Sequence, residues 1–210
     1  MKEPVNPWPH SIAFILALVG AAYLAVRFHE HPQILAVMAV YGFGLLFSFG
    51  ASALYHWMGG AGPRRNAVFR RMDHAAIYAL IACTYTPVLY VGLDGNWRIA
   101  TMASVWLLAV LGIVQSMWFL NAPRALSTAL YVALGWAAVV PFVKLASTLS
   151  HPAIALIVAG GLLYSLGALI YAKRLFDFAP GRFGFHEVFH VLVVAGAAAQ
   201  FAAIAFQLGT

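Results

Sequence analysis

Charge is scarce in this chain. Only 9% of its 210 residues are Asp, Glu, Lys or Arg, against about a quarter in a water-soluble domain, while 63% are hydrophobic and the mean hydropathy is +0.87. That composition excludes an ordinary soluble globule and requires an integral membrane protein. Acidic residues are scarcer still: six against twelve basic ones, giving a net charge of +6. The basic residues fall in short gaps between apolar runs, where membrane topology signals belong, so the charge does not indicate a nucleic-acid partner. Cysteine is almost absent. The single Cys83 excludes an intrachain disulfide and any cysteine-based metal cluster, and its place inside an apolar run suits a small buried hydrophobe. Period-two alternation is also missing, which leaves helices rather than a closed barrel, since only those two architectures satisfy the backbone in lipid. No cleavable signal peptide is evident, because the first apolar run follows a polar, Pro-punctuated stretch from Met1 to His10 and is long enough to span.

What the chain does have is a series of apolar stretches, at roughly 10–28, 33–57, 74–93, 98–119, 126–144, 153–172 and 187–207. They predict an all-α, polytopic membrane protein: one domain, residues 1–210, built as a bundle of seven transmembrane helices. The fifth is interrupted near its end by Pro141 and Lys144, and the second is overlong, which tilt can absorb. With seven spans the basic residues can be assigned to sides. Lys2, Arg64, Arg65, Arg70, Arg71, Arg124, Lys173, Arg174 and Arg182 share the side of the N-terminus, nine in all, against Arg27, Arg98 and Lys144 on the other. The positive-inside rule then puts the N-terminus in the cytoplasm and the C-terminus outside.

Ionisable residues near hydrocarbon are costly, so their positions are informative. His56 ends the second predicted helix, Asp73 stands at the entrance to the third, and His186 and His190 open the seventh. Four spans separate the end of the second helix from the start of the seventh. An even number returns the chain to the same side, so all four residues lie at the cytoplasmic rim. His186 and His190 are spaced i, i+4, which places both rings on one helical face about 6 Å apart along the axis, suited to one ion. A third imidazole from His56 completes a three-histidine set of the kind that takes Zn, Fe, Ni or Cu, and leaves one tetrahedral position open for a water or a substrate atom. A zinc ion there would lower the pKa of its water to about 7. Asp73 is typed to hydrogen-bond such a water or take its proton, and Ser52, four residues before His56, to orient ligand or substrate. Taken one at a time, these residues also have plainer uses: a solvated interfacial His pair, or a His56 that partners its helix dipole.

The string His186-Glu-Val-Phe-His190 also satisfies the metalloprotease pattern H-E-x-x-H, with Glu187 as general base. Against that reading, no third ligand follows in the twenty residues that remain, and His56 is the better-placed third ligand. Otherwise Glu187 reads as an interfacial or lysine-paired charge. His74 reads as a headgroup contact, and His29, His31 and His151 fall on the opposite side. Glu3, Asn6 and His10 form an E-x2-N-x3-H stretch running into the first helix on the cytoplasmic side, where it can cover the site. Thr84-Tyr85-Thr86-Pro87 reads as a kink with neighbouring hydroxyls on the freed carbonyls, its aromatics joining Trp8, Trp57 and Trp97 in interface belts.

Together, Ser52-Ala-Leu-Tyr-His56, Met72-Asp73-His74-Ala-Ala-Ile-Tyr78 running into Thr84-Tyr85-Thr86-Pro87, His186-Glu-Val-Phe-His190 and Glu3-x2-Asn6-x3-His10 resemble the bacterial hemolysin III family, a branch of the progestin and adipoQ receptor superfamily. The resemblance runs from residue 3 to residue 190. It implies a zinc ion held by His56, His186 and His190, with Asp73 near the zinc-bound water and Ser52 as the serine of the S-x3-H motif. It further implies seven spans with a cytoplasmic N-terminus, in a bacterial inner membrane. The activity it implies divides into two classes. One is a zinc-dependent lipid amide or ester hydrolase of membrane lipid homeostasis, acting on ceramide-like substrates. The other is a non-enzymatic channel, haemolysin-like or receptor-like protein with a structural zinc. The name of the bacterial branch points to cytolysis, yet the chain has no amphipathic segment to refold into a pore. Short connections leave little material outside the bilayer for a receptor pocket, so the expected partner is membrane lipid, an acyl chain lying within a monomeric bundle.

Overall fold

The computed structural model describes residues 8–58, 62–118, 124–178 and 183–207, and every element among them is helical. The helices are α1 (Trp8–Arg27), α2 (Pro32–Trp57), α3 (Pro63–Gly92), α4 (Gly95–Trp118), α5 (Arg124–Gly135), α6 (Phe142–Thr148), α7 (His151–Lys173) and α8 (Phe185–Gln207). Proline opens α2, α3 and α7 in their first turns, where a missing N–H costs nothing and the fixed φ suits the helix. Ser150 caps α7 through its hydroxyl, which accepts from the Ala153 amide at 3.3 Å.

The distribution of polarity is that of a bundle in lipid. Ile12, Ile15, Leu16 and Val19 form an i, i+3, i+4, i+7 stripe on α1 that faces outward, and Leu107, Val110, Leu111 and Val114 do the same on α4. His10, Ser48, Ser52, Thr86, Glu187, His190 and Gln200 are buried instead. Six helices are long and apolar enough to cross a membrane. The central one is α3, with 67% of its apolar window buried against 22% for α1 and α4. Small residues let its neighbours approach: a side chain at Gly44 on α2 would strike Cys83, and one at Gly112 on α4 would strike the ring of Tyr78.

The predicted fifth span is a broken one. After α5 the chain makes a single 3-10 turn, Ala137–Val139, passes Pro141, and resumes as α6 at an angle of 55°. Proline removes the amide that would have continued the helix, and the backbone groups freed at the break are taken up by a side chain of α3. The Tyr85 hydroxyl donates to the Gly135 carbonyl at 2.7 Å and accepts from the Ala138 amide at 2.9 Å. The Trp136 indole N–H adds a bond to Ser165 of α7 at 2.8 Å. The two pieces nevertheless make one crossing. The Tyr131 hydroxyl of α5 reaches the His74 carbonyl, three turns into α3, whereas the Thr148 hydroxyl of α6 reaches the Gly92 carbonyl at its last residue, at 2.8 Å. Counted this way the bundle has seven spans.

Three expectations need correction. The third helix begins at Pro63, eleven residues before the predicted start, so Arg64, Arg65, Arg70 and Arg71 lie on the helix rather than in a connection. Arginine is a good helix former, and Gly62, at φ 96°, turns the chain into the first turn directly before the proline. Asp73 is therefore the eleventh residue of α3, three turns in, not its entrance. Tyr85 belongs to no interface belt, being buried at the α5 break. At Pro87, which lies inside α3, neighbouring hydroxyls do bond carbonyls as expected, Thr84 to Leu80 and Thr86 to Ala82 at 2.8 and 2.9 Å.

Candidate metal centre

Topology brings the start of α1, the end of α2 and the start of α8 to one end of the bundle, and each contributes histidine there. The ring of His56 lies 5.3 Å from that of His190 and 5.6 Å from that of His186. His186 and His190, one turn apart on α8, have ring centroids 4.5 Å apart. The meeting of α2 with α8 requires an even number of crossings between them, which only a spanning α5–α6 pair provides.

A fourth imidazole enters the cluster. His10, in the first turn of α1, lies 3.9 Å from the His190 ring at an interplanar angle of 88° and 5.1 Å from the His56 ring. His10, His56 and His190 each present a nitrogen within 4.8 Å of those of the other two. Spacing alone could place His10 only as a cover over the site. Its burial, at 2% exposure, depends on how α1 packs, and the i, i+4 rule that exposes the His186–His190 pair has no counterpart across two helices.

The donor set fits a metal ion. Both nitrogens of His10 and Nε2 of His190 are buried with no hydrogen-bond partner. An imidazole always carries at least one N–H or lone pair to satisfy, and leaving it orphaned in a dry site costs about 1–3 kcal/mol. Convergent orphan nitrogens are what a first-row metal ion removes.

The same end opens into a single cavity of about 1140 Å³. Its polar end is lined by the four histidines with Ser52, Asp73, Arg70 and Arg174. Further along, the lining turns apolar, through Val88, Phe142, Leu145, Ile154 and Ile157. Ser52 is buried, and the Asp73 carboxylate, largely covered, sits 3.7 Å from the His74 ring. His74 is half-buried and lines the cavity, with Nδ1 2.8 Å from the Arg70 carbonyl. Glu187, the base of the metalloprotease reading, is otherwise engaged. Its carboxylate accepts from the Gly184 amide at 2.8 Å, capping the first turn of α8 from the third helical position. Glu3 and Asn6 lie outside the described residues.

Comparison with known proteins identifies the family. The family model described as haemolysin-III related matches residues 1–201. The chain belongs to this family. It is 32% identical over 209 residues to Hemolysin-3 of Bacillus cereus, covering 99% of this chain and 92% of that one. It is 29% identical to a Hemolysin-3 homolog of Bacillus subtilis, covering 98% and 93%. An adiponectin receptor protein of Drosophila melanogaster is 28% identical over 213 residues, covering 93% of this chain and 48% of that protein. The match to the haemolysin-III family extends across all the helices that carry the histidines.

Proposed function

We propose that the protein is a zinc-dependent hydrolase of membrane lipid amides or esters, seated in the bacterial inner membrane with its histidine cluster on the cytoplasmic side. The observation that carries this reading is the continuity of one cavity from the histidines and Asp73 into an apolar chamber. A structural metal site needs no such chamber. At about 1140 Å³ it exceeds the ~300–1,000 Å³ of ordinary small-molecule pockets and suits a long acyl chain.

His56, His186 and His190 would hold the ion. When bound, zinc supplies Lewis-acid polarisation of a carbonyl and a nucleophile available at neutral pH. The chain's own residues supply the remaining work. Asp73, the acidic residue among those lining the cavity, takes the proton of the attacking water on its carboxylate and returns it to the leaving amine or alcohol. The Ser52 hydroxyl donates a hydrogen bond to the substrate oxygen. Arg70 and Arg174 stand at the polar end, where a lipid headgroup meets water, and the apolar lining excludes bulk water from the acyl chain.

The substitution Asp73→Asn tests the reading, because it keeps size and most hydrogen bonding but removes the base. Turnover of ceramide-like amides by the purified protein should fall by about 10²–10⁴-fold. Zinc content and thermal stability should hold. A second reading, a receptor-like or haemolysin-like protein with a structural metal, draws support from the convergence of α1, α2 and α8 on the cluster. It prevails if zinc removal lowers stability while no lipid is ever turned over.

A further inference from the structure

Three histidines suffice for an open catalytic centre, yet four converge here. The first turn of α1 is held against the end of α2 by two contacts: the Trp57 indole N–H donates to the Ser11 hydroxyl at 2.9 Å, and the Trp8 and Trp57 rings meet edge to face at 5.8 Å. These neighbours flank His10 on one helix and His56 on the other, so the clamp aims His10 into the cluster. Inside, His10 meets no hydrogen-bonding group at either nitrogen, and its partners within reach are the imidazoles themselves. In a tetrahedral site with Zn–N near 2.0–2.1 Å, ligand nitrogens stand about 3.3 Å apart. The 4.8 Å limit that encloses the nitrogens of His10, His56 and His190 is within a small side-chain adjustment of that.

We propose that His10 supplies a fourth nitrogen to the metal, so that with α1 seated the centre is closed, and that release of the first turn of α1 opens the position a substrate must enter. The inference rests on the metal reading above and adds a regulatory element to it. The clamp lies at the bundle surface, with Trp8 60% and Trp57 58% exposed, where a membrane surface or a bound partner can reach it.

Cobalt(II) substitution of the full-length protein in detergent micelles tests this without any measurement of activity. The visible spectrum of the wild type should be that of a four-nitrogen centre and should not change on titration with azide. His10→Ala should retain cobalt with affinity weakened by on the order of 10-fold or more. Its spectrum should shift on adding azide, and free imidazole should restore the wild-type bands. Trp57→Phe, which removes the clamp's hydrogen bond, should respond to azide partially. X-ray absorption at the zinc edge of the wild type, which needs no variant, should count four imidazole nitrogens. A wild-type spectrum that azide shifts as readily as that of His10→Ala, or three imidazoles plus an oxygen at the zinc edge, would overturn the role of His10 while leaving the three-histidine centre intact. Absence of any stoichiometric metal in the wild type would sink the centre itself, and this inference with it.

Discussion

Each histidine of the cluster is placed by a different kind of local rule, and their substitutions should differ accordingly. His186 and His190 share one face of α8 by helical periodicity, so the double variant His186→Ala/His190→Ala removes two ligands without disturbing a cap, since Glu187 remains on the Gly184 amide. Metal analysis should show about one zinc per wild-type chain and none in the double variant. His56→Ala should deplete zinc as well, for that residue joins α2 to the pair on α8. Stoichiometric zinc persisting in the double variant would contradict the assignment. That the rings of His56, His186 and His190 come together at one end of the bundle was legible from spacing and span parity. His10 was legible only as a residue near the site, because its position depends on the packing of α1 against α2 and α8 rather than on any period within its own helix.

Among the helices, the α5–α6 pair is the least regular and the most dependent on its neighbours. Pro141 announces an interruption in the sequence, but the sequence does not say which group satisfies the broken backbone. Tyr85 does so from fifty residues away, with both functions of its hydroxyl used. Tyr85→Phe should therefore leave two cavity-lining backbone groups unsatisfied and destabilise the fold by about 1–3 kcal/mol, read as a fall of several degrees in thermal unfolding in detergent. An unchanged melting temperature would mean that water replaces the hydroxyl. The early start of α3 has the opposite origin. Its Arg-rich first turns are too polar to count as membrane span, so a hydropathy window ends where the helix does not.

At the level of the assembled bundle, the orientation and the chamber each make a prediction. We propose, from nine basic residues against three, that the N-terminus lies inside, so a reporter fused after Thr210 should be active only when it functions outside the cytoplasm. Activity on the cytoplasmic side would invert the bundle and move the histidine cluster to the outer face. The chamber, if it holds acyl chains, should discriminate by length. Val158→Trp places a large ring in its wall and should shift the lipids that co-purify with the protein toward shorter chains by mass spectrometry, with zinc content unaltered. An unchanged lipid profile would place the acyl chain elsewhere.

Composition and hydropathy were enough to establish a helical membrane bundle, because lipid imposes its demands on every residue of a span and those demands are additive along the chain. Span count and parity were enough to bring His56 and Asp73 to the same end as His186 and His190, since crossing a bilayer an even number of times is a topological fact independent of packing. The tertiary structure decided the rest. That the interrupted fifth span runs along α3 as one path was seen only in the contacts of Tyr131 with His74 and of Thr148 with Gly92, eighteen residues further on. The entry of His10 into the cluster, the capping role of Glu187 and the cavity behind Asp73 all depend on contacts between residues far apart in sequence. Such contacts follow from how side chains interdigitate between helices, and no periodicity within one helix encodes which residue of another will meet it.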